Sequence, residues 1–195
     1  MKLILKSQNA ENAENALDFP AGRKAAFLDR DGVINVDFGY VHRREDFDFF
    51  PGTLEACRLL HDAGYRLIII TNQAGIARGY YTEKDFTTLM TWVTTVFASA
   101  GVPLASIYFC PHHPDGSVAR YRMICRCRKP QPGMILEAIE LDRIHVADSI
   151  LIGDKPGDIE AGLKAGIGRC FLVEPDNAEG RFRTLHDVVQ HLLKS

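Results

Sequence analysis

Two aspartates one residue apart, Asp29 and Asp31, stand where the apolar run Ala25-Ala26-Phe27-Leu28 gives way to the loop Gly32-Val33-Ile34-Asn35. An acid at the carboxyl end of a buried strand lies in the crevice where open α/β sheets bind ligands, fixed by a rigid element yet open to solvent. A second acid two positions on serves the same small volume. Two further apolar runs end comparably, Tyr65 to Ile70 in Thr71-Asn72 and Ser149 to Gly153 in Asp154, with Asp158 just beyond. A single pair of this kind is also what a strand-terminating turn uses to satisfy its amides. Three polar strand ends on one sheet edge make a site.

The chemistry these groups suit is phosphate-ester hydrolysis. That reaction needs an in-line nucleophile, a proton donor for the leaving oxygen and positive charge around the nonbridging oxygens. Asp29 can attack phosphorus to form an aspartyl phosphate, and Asp31 can protonate the leaving alkoxide and then activate water. Asp29 and Asp154 offer hard oxygen ligands to Mg²⁺, with the Asp31 main-chain carbonyl as a third. Lys129 brings a compact positive charge, Thr71 a hydroxyl and Asn72 an amide. The plainer alternatives are a solvated surface lysine for Lys129, a cap for Thr71 and an N-cap for Asp158.

A second constellation lies between positions 110 and 127. Cys110-Pro111-His112-His113 and Cys125-Arg126-Cys127 fall on a long connection with few apolar residues. A tetrahedral Zn²⁺ held by Cys110, His112, Cys125 and Cys127 accounts for them, with His113 as a supporting or substitute ligand. Such a site orders a loop that packing alone cannot, and it fills all four positions, which makes the metal structural. The alternative is a set of free thiols beside surface histidines. Cys57 and Cys170 fall within helix and strand patterns and read as small buried hydrophobes.

The elements that position these groups alternate between strand and helix. Strands are expected at 25–29, 65–71, 106–109, 149–154 and 169–173. Helices are expected at 53–63, from Thr82 as N-cap to just before Gly101, from Pro132 to about Leu141, at 158–165 and at 184–194. Phe86, Leu89, Met90, Val93, Val96 and Phe97 make the apolar stripe of the second helix, and Trp92 lies off it as a packing residue. The alternation predicts an α/β fold with a mainly parallel sheet covered by helices on both faces. Residues 1–22, with the near-repeat Ala10-Glu11-Asn12-Ala13-Glu14-Asn15-Ala16, read as an extension of unknown role ahead of one domain over 23–195.

With 195 residues, 46% of them hydrophobic, the chain can bury one core and is short for two. A net charge of −2 gives no global basic field, which argues against a dedicated nucleic-acid binder. No apolar stretch approaches a membrane span, and no secretory leader is evident. Five cysteines, an odd number, fit a disulfide framework poorly. A monomeric cytoplasmic protein acting on a small molecule, with neither nucleic-acid nor membrane partner, is the expectation.

The motifs FLDRDGVIN, TNQ, CRKP and GDKPGD resemble, in order and approximate spacing, those of the haloacid dehalogenase (HAD) superfamily of aspartyl-phosphate phosphatases. The resemblance implies a Rossmann-like sheet, Mg²⁺ and catalytic roles for Asp29, Asp31, Thr71 and Lys129, with Asp154 as a metal ligand. The longer strings VDFGYV, TNQAGIARG, CPHHPDG, CRCRKPQPGM and GDKPGDIEAG closely resemble the D-glycero-D-manno-heptose 1,7-bisphosphate 7-phosphatase family, which has a zinc loop and a minimal cap. That similarity implies removal of the 7-phosphate of a sugar bisphosphate on the route to the heptose of lipopolysaccharide or related glycans. It carries Asp37, Phe38, Gly39 and Tyr40 into a substrate loop, Thr71, Asn72, Gln73 and Ala74 to substrate and phosphoryl contacts, Arg128 to the substrate's other end and Lys155 to the phosphate side. Histidinol-phosphate phosphatases resemble the same motifs and are the alternative enzyme. A noncatalytic, zinc-stabilised phosphate- or partner-binding protein is a third reading, although every catalytic group is present.

Overall fold

The structure, a computed structural model, describes residues 2–6, 22–177 and 179–194. Its strands are β1 (Lys2–Lys6), β2 (Ala25–Leu28), β3 (Arg66–Asn72), β4 (Leu104–Cys110), β5 (Ile150–Gly153) and β6 (Arg169–Leu172). Its α-helices are α1 (Thr53–Asp62), α2 (Ala74–Arg78), α3 (Glu83–Ser99), α4 (Gly133–Leu141), α5 (Pro156–Lys164) and α6 (Leu185–Lys194). The sheet order is β1-β4-β3-β2-β5-β6. Strands β2 to β6 pair in parallel, and β1 runs antiparallel along β4 at the edge. The mainly parallel α/β sheet read from the alternation is the one found.

Strand periodicity sorts the core into two halves. Ala26, Leu28, Leu67 and Ile69 join one apolar cluster with Ala56 and Leu60 of α1, Phe86 and Phe97 of α3, and Val188 and Leu192 of α6. Their neighbours in sequence, Ala25, Phe27, Ile68 and Ile70, join a second cluster with Met134, Ile135 and Ala138 of α4 and Ala161 of α5. Successive side chains point to opposite faces, so a strand covered on both sides reads as an unbroken apolar run. Each of the larger buried side chains, Val, Leu, Ile, Phe or Met, contributes about 1.5–3 kcal/mol.

Several boundaries differ from expectation for local reasons. α5 begins at Pro156 rather than Asp158, because proline is well suited to a first helical turn. Asp158 is therefore the third helical residue and not the N-cap; its Oδ2 accepts from the Lys155 backbone N–H at 2.9 Å. β4 begins two residues earlier than expected, and the short α2 was not foreseen. α3 starts as read, with Thr82 and Asp85 forming a reciprocal capping box. Val96 is only half-buried on that helix. Trp92 packs edge-on against Phe47 at 5.6 Å. The extension contributes β1, a strand the reading had no signal for; residues 7–21, with the near-repeat, lie outside the described residues.

For the site, the register matters most. Leu28 pairs with Ile69 on one side and Ile152 on the other. One residue further, Asp29 stands level with the ends of both neighbours, and its N–H donates to Ile152 O at 3.0 Å. The carboxyl ends of β2, β3 and β5 thus converge on one edge.

Candidate active site

Asp29 is 6% exposed at the tip of β2. Its Oδ1 lies 2.9 Å from Lys129 Nζ and accepts from the Arg30 N–H at 2.8 Å. Burial pushes the Asp29 carboxyl up to about 7; Lys129 opposes this, and the carboxylates of Asp158 and Asp154 add to it. Lys129 arrives from the far end of the cysteine-rich connection and is itself buried. Its Nζ also sits 2.6 Å from Asp158 Oδ1 and donates to Ile70 O at 2.9 Å. Burial works against its charge, but the two aspartates outweigh that and hold Lys129 above the ordinary lysine value. The surface-lysine alternative does not describe it. Removing this charge leaves two buried carboxylates facing each other, so Lys129→Met is expected to cost about 3–5 kcal/mol of stability at neutral pH. The cost shrinks as pH falls toward 7, because Asp29, raised further once Lys129 no longer opposes its burial, takes up its proton first in the variant. Urea unfolding at pH 5 and pH 8 measures both.

Asp154 extends from the end of β5 beside Asp29. Its Oδ1 is buried without a hydrogen-bond partner among the described residues, and burial raises its pKa. Oxygens of Asp29, Asp154 and Asp158 lie within 4.8 Å of one another. Both Asp158 oxygens are already engaged, one by Lys129 and one by the Lys155 N–H. The orphaned oxygen and the hard donor set fit a small divalent cation bound by Asp29 and Asp154. Gly32 leaves room for the Asp154 carboxylate, since a Cβ there would stand 2.3 Å from Asp154 Oδ2.

Asp31 turns its side chain away from this trio. The fully buried Arg30 holds it through Nη2 at 2.7 and 2.8 Å and Nε at 3.1 Å, while Asn35 Nδ2 and Gln73 Nε2 each donate at 3.1 Å. Any metal contact from Asp31 is thus confined to its main-chain carbonyl. Thr71, at the end of β3, is 1% exposed, and its Oγ1 accepts from Gln73 at 2.8 Å. Its hydroxyl proton therefore remains available to an incoming oxygen.

The connection from Cys110 to Lys129 folds around a second cluster. The Sγ atoms of Cys110, Cys125 and Cys127 are 3.2–3.5 Å apart. His112 Nδ1 lies 3.4 Å from Cys127 Sγ and 3.7 Å from Cys110 Sγ. A tetrahedron with metal–sulfur bonds of about 2.3 Å has edges of about 3.7 Å. The four ligands named from sequence are brought together at nearly that spacing and could hold zinc. The hydrogen bonds shared among Cys110, Cys125, Cys127 and His112 favour ionisation of the Cys127 thiol and oppose that of Cys110, which burial disfavours further. His113 is outside this cluster, its Nε2 lying 3.5 Å from Arg78 Nη2. Cys57 is fully buried, and burial raises its thiol to about 12, whereas Cys170 is half-buried rather than buried.

A family profile described as polynucleotide kinase 3 phosphatase matches residues 24–179. The D-glycero-beta-D-manno-heptose-1,7-bisphosphate 7-phosphatase of Yersinia pestis is 51% identical over 159 residues, covering 80% of this chain and 85% of the relative. The chain belongs to the heptose-1,7-bisphosphate 7-phosphatase family. The D-glycero-alpha-D-manno-heptose-1,7-bisphosphate 7-phosphatase of Photorhabdus laumondii is 50% identical over 151 residues, covering 77% and 82%. Among solved structures, a HAD-like phosphatase from Mesorhizobium loti superposes with a TM-score of 0.79 at 33% identity over 90% of this chain and 87% of its own. The D,D-heptose 1,7-bisphosphate phosphatase of B. bronchiseptica, complexed with magnesium and phosphate, gives 0.73 at 30% identity over 88% and 98%.

The heptose-bisphosphate phosphatase resemblance also placed substrate contacts, and their surroundings are mixed. Asp37, Phe38, Gly39 and Tyr40 form an exposed loop, with Phe38 62% and Tyr40 43% accessible. Asp37 Oδ2 is 3.2 Å from Lys155 Nζ, which also lies 3.5 Å from Asp154 Oδ2. A cavity of about 450 Å³ opens beside Phe38, Tyr40 and Tyr80, but Glu45, Asp46 and Asp48 line it too, so a phosphate is better served at the Lys129 edge. Arg128 Nη1 reaches His112 O at 3.4 Å and stands at the junction of the two sites. Ala74 opens α2 and is half-buried.

Two expected substrate contacts are differently employed. Both ends of the Asn72 amide are taken by the Lys129 backbone, Nδ2 donating to its carbonyl at 3.0 Å and Oδ1 accepting from its N–H at 3.1 Å. The Gln73 side chain is only 2% exposed and is bonded within the protein. Arg30 and Asp158 hold the reactive groups and were not assigned that part. A charged residue between two acids, in a stretch otherwise apolar, was the available signal for Arg30.

Proposed function

We propose that the protein removes the 7-phosphate of D-glycero-D-manno-heptose 1,7-bisphosphate, leaving the 1-phosphate, through an aspartyl phosphate on Asp29. The observation that carries the reading is about 50% identity over more than three quarters of the chain to heptose-1,7-bisphosphate 7-phosphatases, joined to an intact set of phosphoryl-transfer groups.

In this reading Asp29 attacks phosphorus in line, and Asp31 delivers a proton to the departing primary alkoxide. Asp31 then takes a proton from the water that releases phosphate. Lys129 and the Thr71 hydroxyl face the nonbridging oxygens, and Asp158 fixes Lys129 from behind. Mg²⁺ bound by Asp29 and Asp154 supplies the charge that lets a carboxylate approach a phosphate dianion. Arg128 and the Asp37–Tyr40 loop receive the remainder of the sugar phosphate, with Lys155 on the phosphate side. Zn²⁺ on Cys110, His112, Cys125 and Cys127 orders the segment that carries Arg128 and Lys129. None of the five cysteines forms a disulfide, which suits the reducing cytoplasm.

The test is phosphate release with Mg²⁺ from the alpha and beta heptose bisphosphates and from histidinol phosphate. A higher kcat/KM on a heptose bisphosphate, with the product retaining its anomeric phosphate, is expected. Higher efficiency on histidinol phosphate would replace this reading with the alternative enzyme.

A further inference from the structure

Gln73 stands at the centre of a hydrogen-bond set that contacts both Asp31 and Thr71. Its Nε2 donates to Asp31 Oδ2 at 3.1 Å and to Thr71 Oγ1 at 2.8 Å. Its Oε1 accepts from the Tyr81 hydroxyl at 2.6 Å. A carboxamide offers two N–H donors and one carbonyl, and here each has a partner. Tyr81 is itself firmly seated. It is 6% exposed and belongs to the apolar cluster on the α3 face of the sheet. His42 stacks on its ring at 4.7 Å and 6°. The ring lies so close to α2 that a Cβ on Gly75 would come within 2.1 Å of it. No polar atom of Tyr81 touches the carboxylates at the strand ends. Its hydroxyl does one thing, which is to hold the far end of the Gln73 amide.

We propose that Tyr81 is a positioning residue for the acid/base step, fixing the Gln73 amide so that its two N–H groups set the direction of the Asp31 carboxyl and of the Thr71 hydroxyl. This rests on the reading of Asp31 as the group that protonates the leaving oxygen. Without the Tyr81 hydroxyl, the Gln73 carbonyl is a buried acceptor with no partner, and an unmet group of that kind draws the side chain toward another donor. The amide then no longer presents both N–H groups at once. Asp31 keeps its bonds to Arg30 and Asn35, so it stays in the site, but its Oδ2 loses one of its two donors and is left with Arg30 alone. The loss at Asp31 falls on proton delivery alone, whereas any loss at Thr71 weakens the hold on the phosphoryl oxygens and falls on every phosphate ester alike.

The test compares leaving groups. An alkoxide needs a proton as it departs, whereas p-nitrophenolate departs without one, so only the first senses Asp31 as an acid. kcat/KM is the quantity to follow, since it reports formation of the aspartyl phosphate and not its hydrolysis. For Tyr81→Phe, kcat/KM on heptose 1,7-bisphosphate is expected to fall about tenfold more than on p-nitrophenyl phosphate, with the melting temperature lowered by about a few degrees and the fold retained. Gln73→Met, which removes both N–H donors at similar volume, is expected to give the same contrast. Equal losses on the two substrates, or no loss in either variant, would overturn the proposal. Asp31→Asn run in parallel separates the two levels. A missing contrast there defeats the acid/base assignment, whereas a contrast in Asp31→Asn alone defeats only the role given to Tyr81.

Discussion

Asp29→Asn is expected to lower Mg²⁺-dependent phosphate release by at least about a thousandfold while the fold persists, because the variant loses both the attacking oxygen and a charged ligand to the cation. An amide is a poor nucleophile toward phosphorus, and no other described carboxylate is free to take its place. Asp158 is bound at both oxygens, Asp31 is turned onto Arg30, and Asp154 is the other cation ligand. Stability is expected to change little, and to rise if it changes. Burial already penalises the Asp29 charge, pushing its carboxyl up to about 7, and a neutral isostere avoids that cost. Lys129 retains Asp158 as a partner at 2.6 Å. Two measurements decide the matter: steady-state phosphate release, and acid-quenched turnover with labelled substrate followed by peptide mapping. Label on the peptide containing Asp29 in the parent protein, and on none in the variant, is the expected pattern. Label elsewhere would remove Asp29 from its role.

Loss of zinc is expected to have the second largest effect, and to reach the phosphate site without touching it. The four ligands bring together the start and the end of the loop, and the loop's own apolar content is small. Tyr121 is buried, but Met123 and Ile124 are exposed, at 43% and 90%. Selective removal of zinc, or Cys127→Ser, is expected to raise hydrogen exchange over residues 110–130 by at least about a hundredfold, equivalent to about 2.7 kcal/mol of local opening. Activity restored with excess Mg²⁺ alone is expected to stay at least about tenfold low, because Lys129 is the second residue after the ligand Cys127. Asn72 still holds the Lys129 backbone at 3.0 and 3.1 Å, so the loss is partial rather than complete. Unchanged exchange over this segment would refute a structural metal.

The convergence of polar strand ends at the proposed catalytic edge was legible in the sequence because strands covered on both faces are long apolar runs, and their polar ends stand out against them. Asp29, Thr71 and Asp154 are visible for that reason. The zinc ligands were legible because cysteine and histidine at one-residue spacing, in a loop with no core, have few other uses. Orientation was not legible. Nothing in the string TNQ says that Asn72 clamps a lysine backbone 57 positions away, or that Gln73 bonds inward to Asp31 and Tyr81 rather than outward to a substrate. Such contacts depend on which loops meet at the sheet edge, and that is settled by tertiary packing. β1 was missed because a single short strand flanked by polar sequence carries no pattern that distinguishes it from a tail.

The register of β3 and β4 pairs Asn72 directly with Cys110. The last rung of the sheet therefore joins a phosphate-side residue to a metal ligand, and Asn72 ties the other end of the loop to the same rung through Lys129. Both ends of the segment are thereby anchored to one place on the sheet. On that side the proposed phosphate site is bounded by a segment tied at both ends to the sheet edge, so the shape it offers a sugar is expected to be prepared in advance of binding.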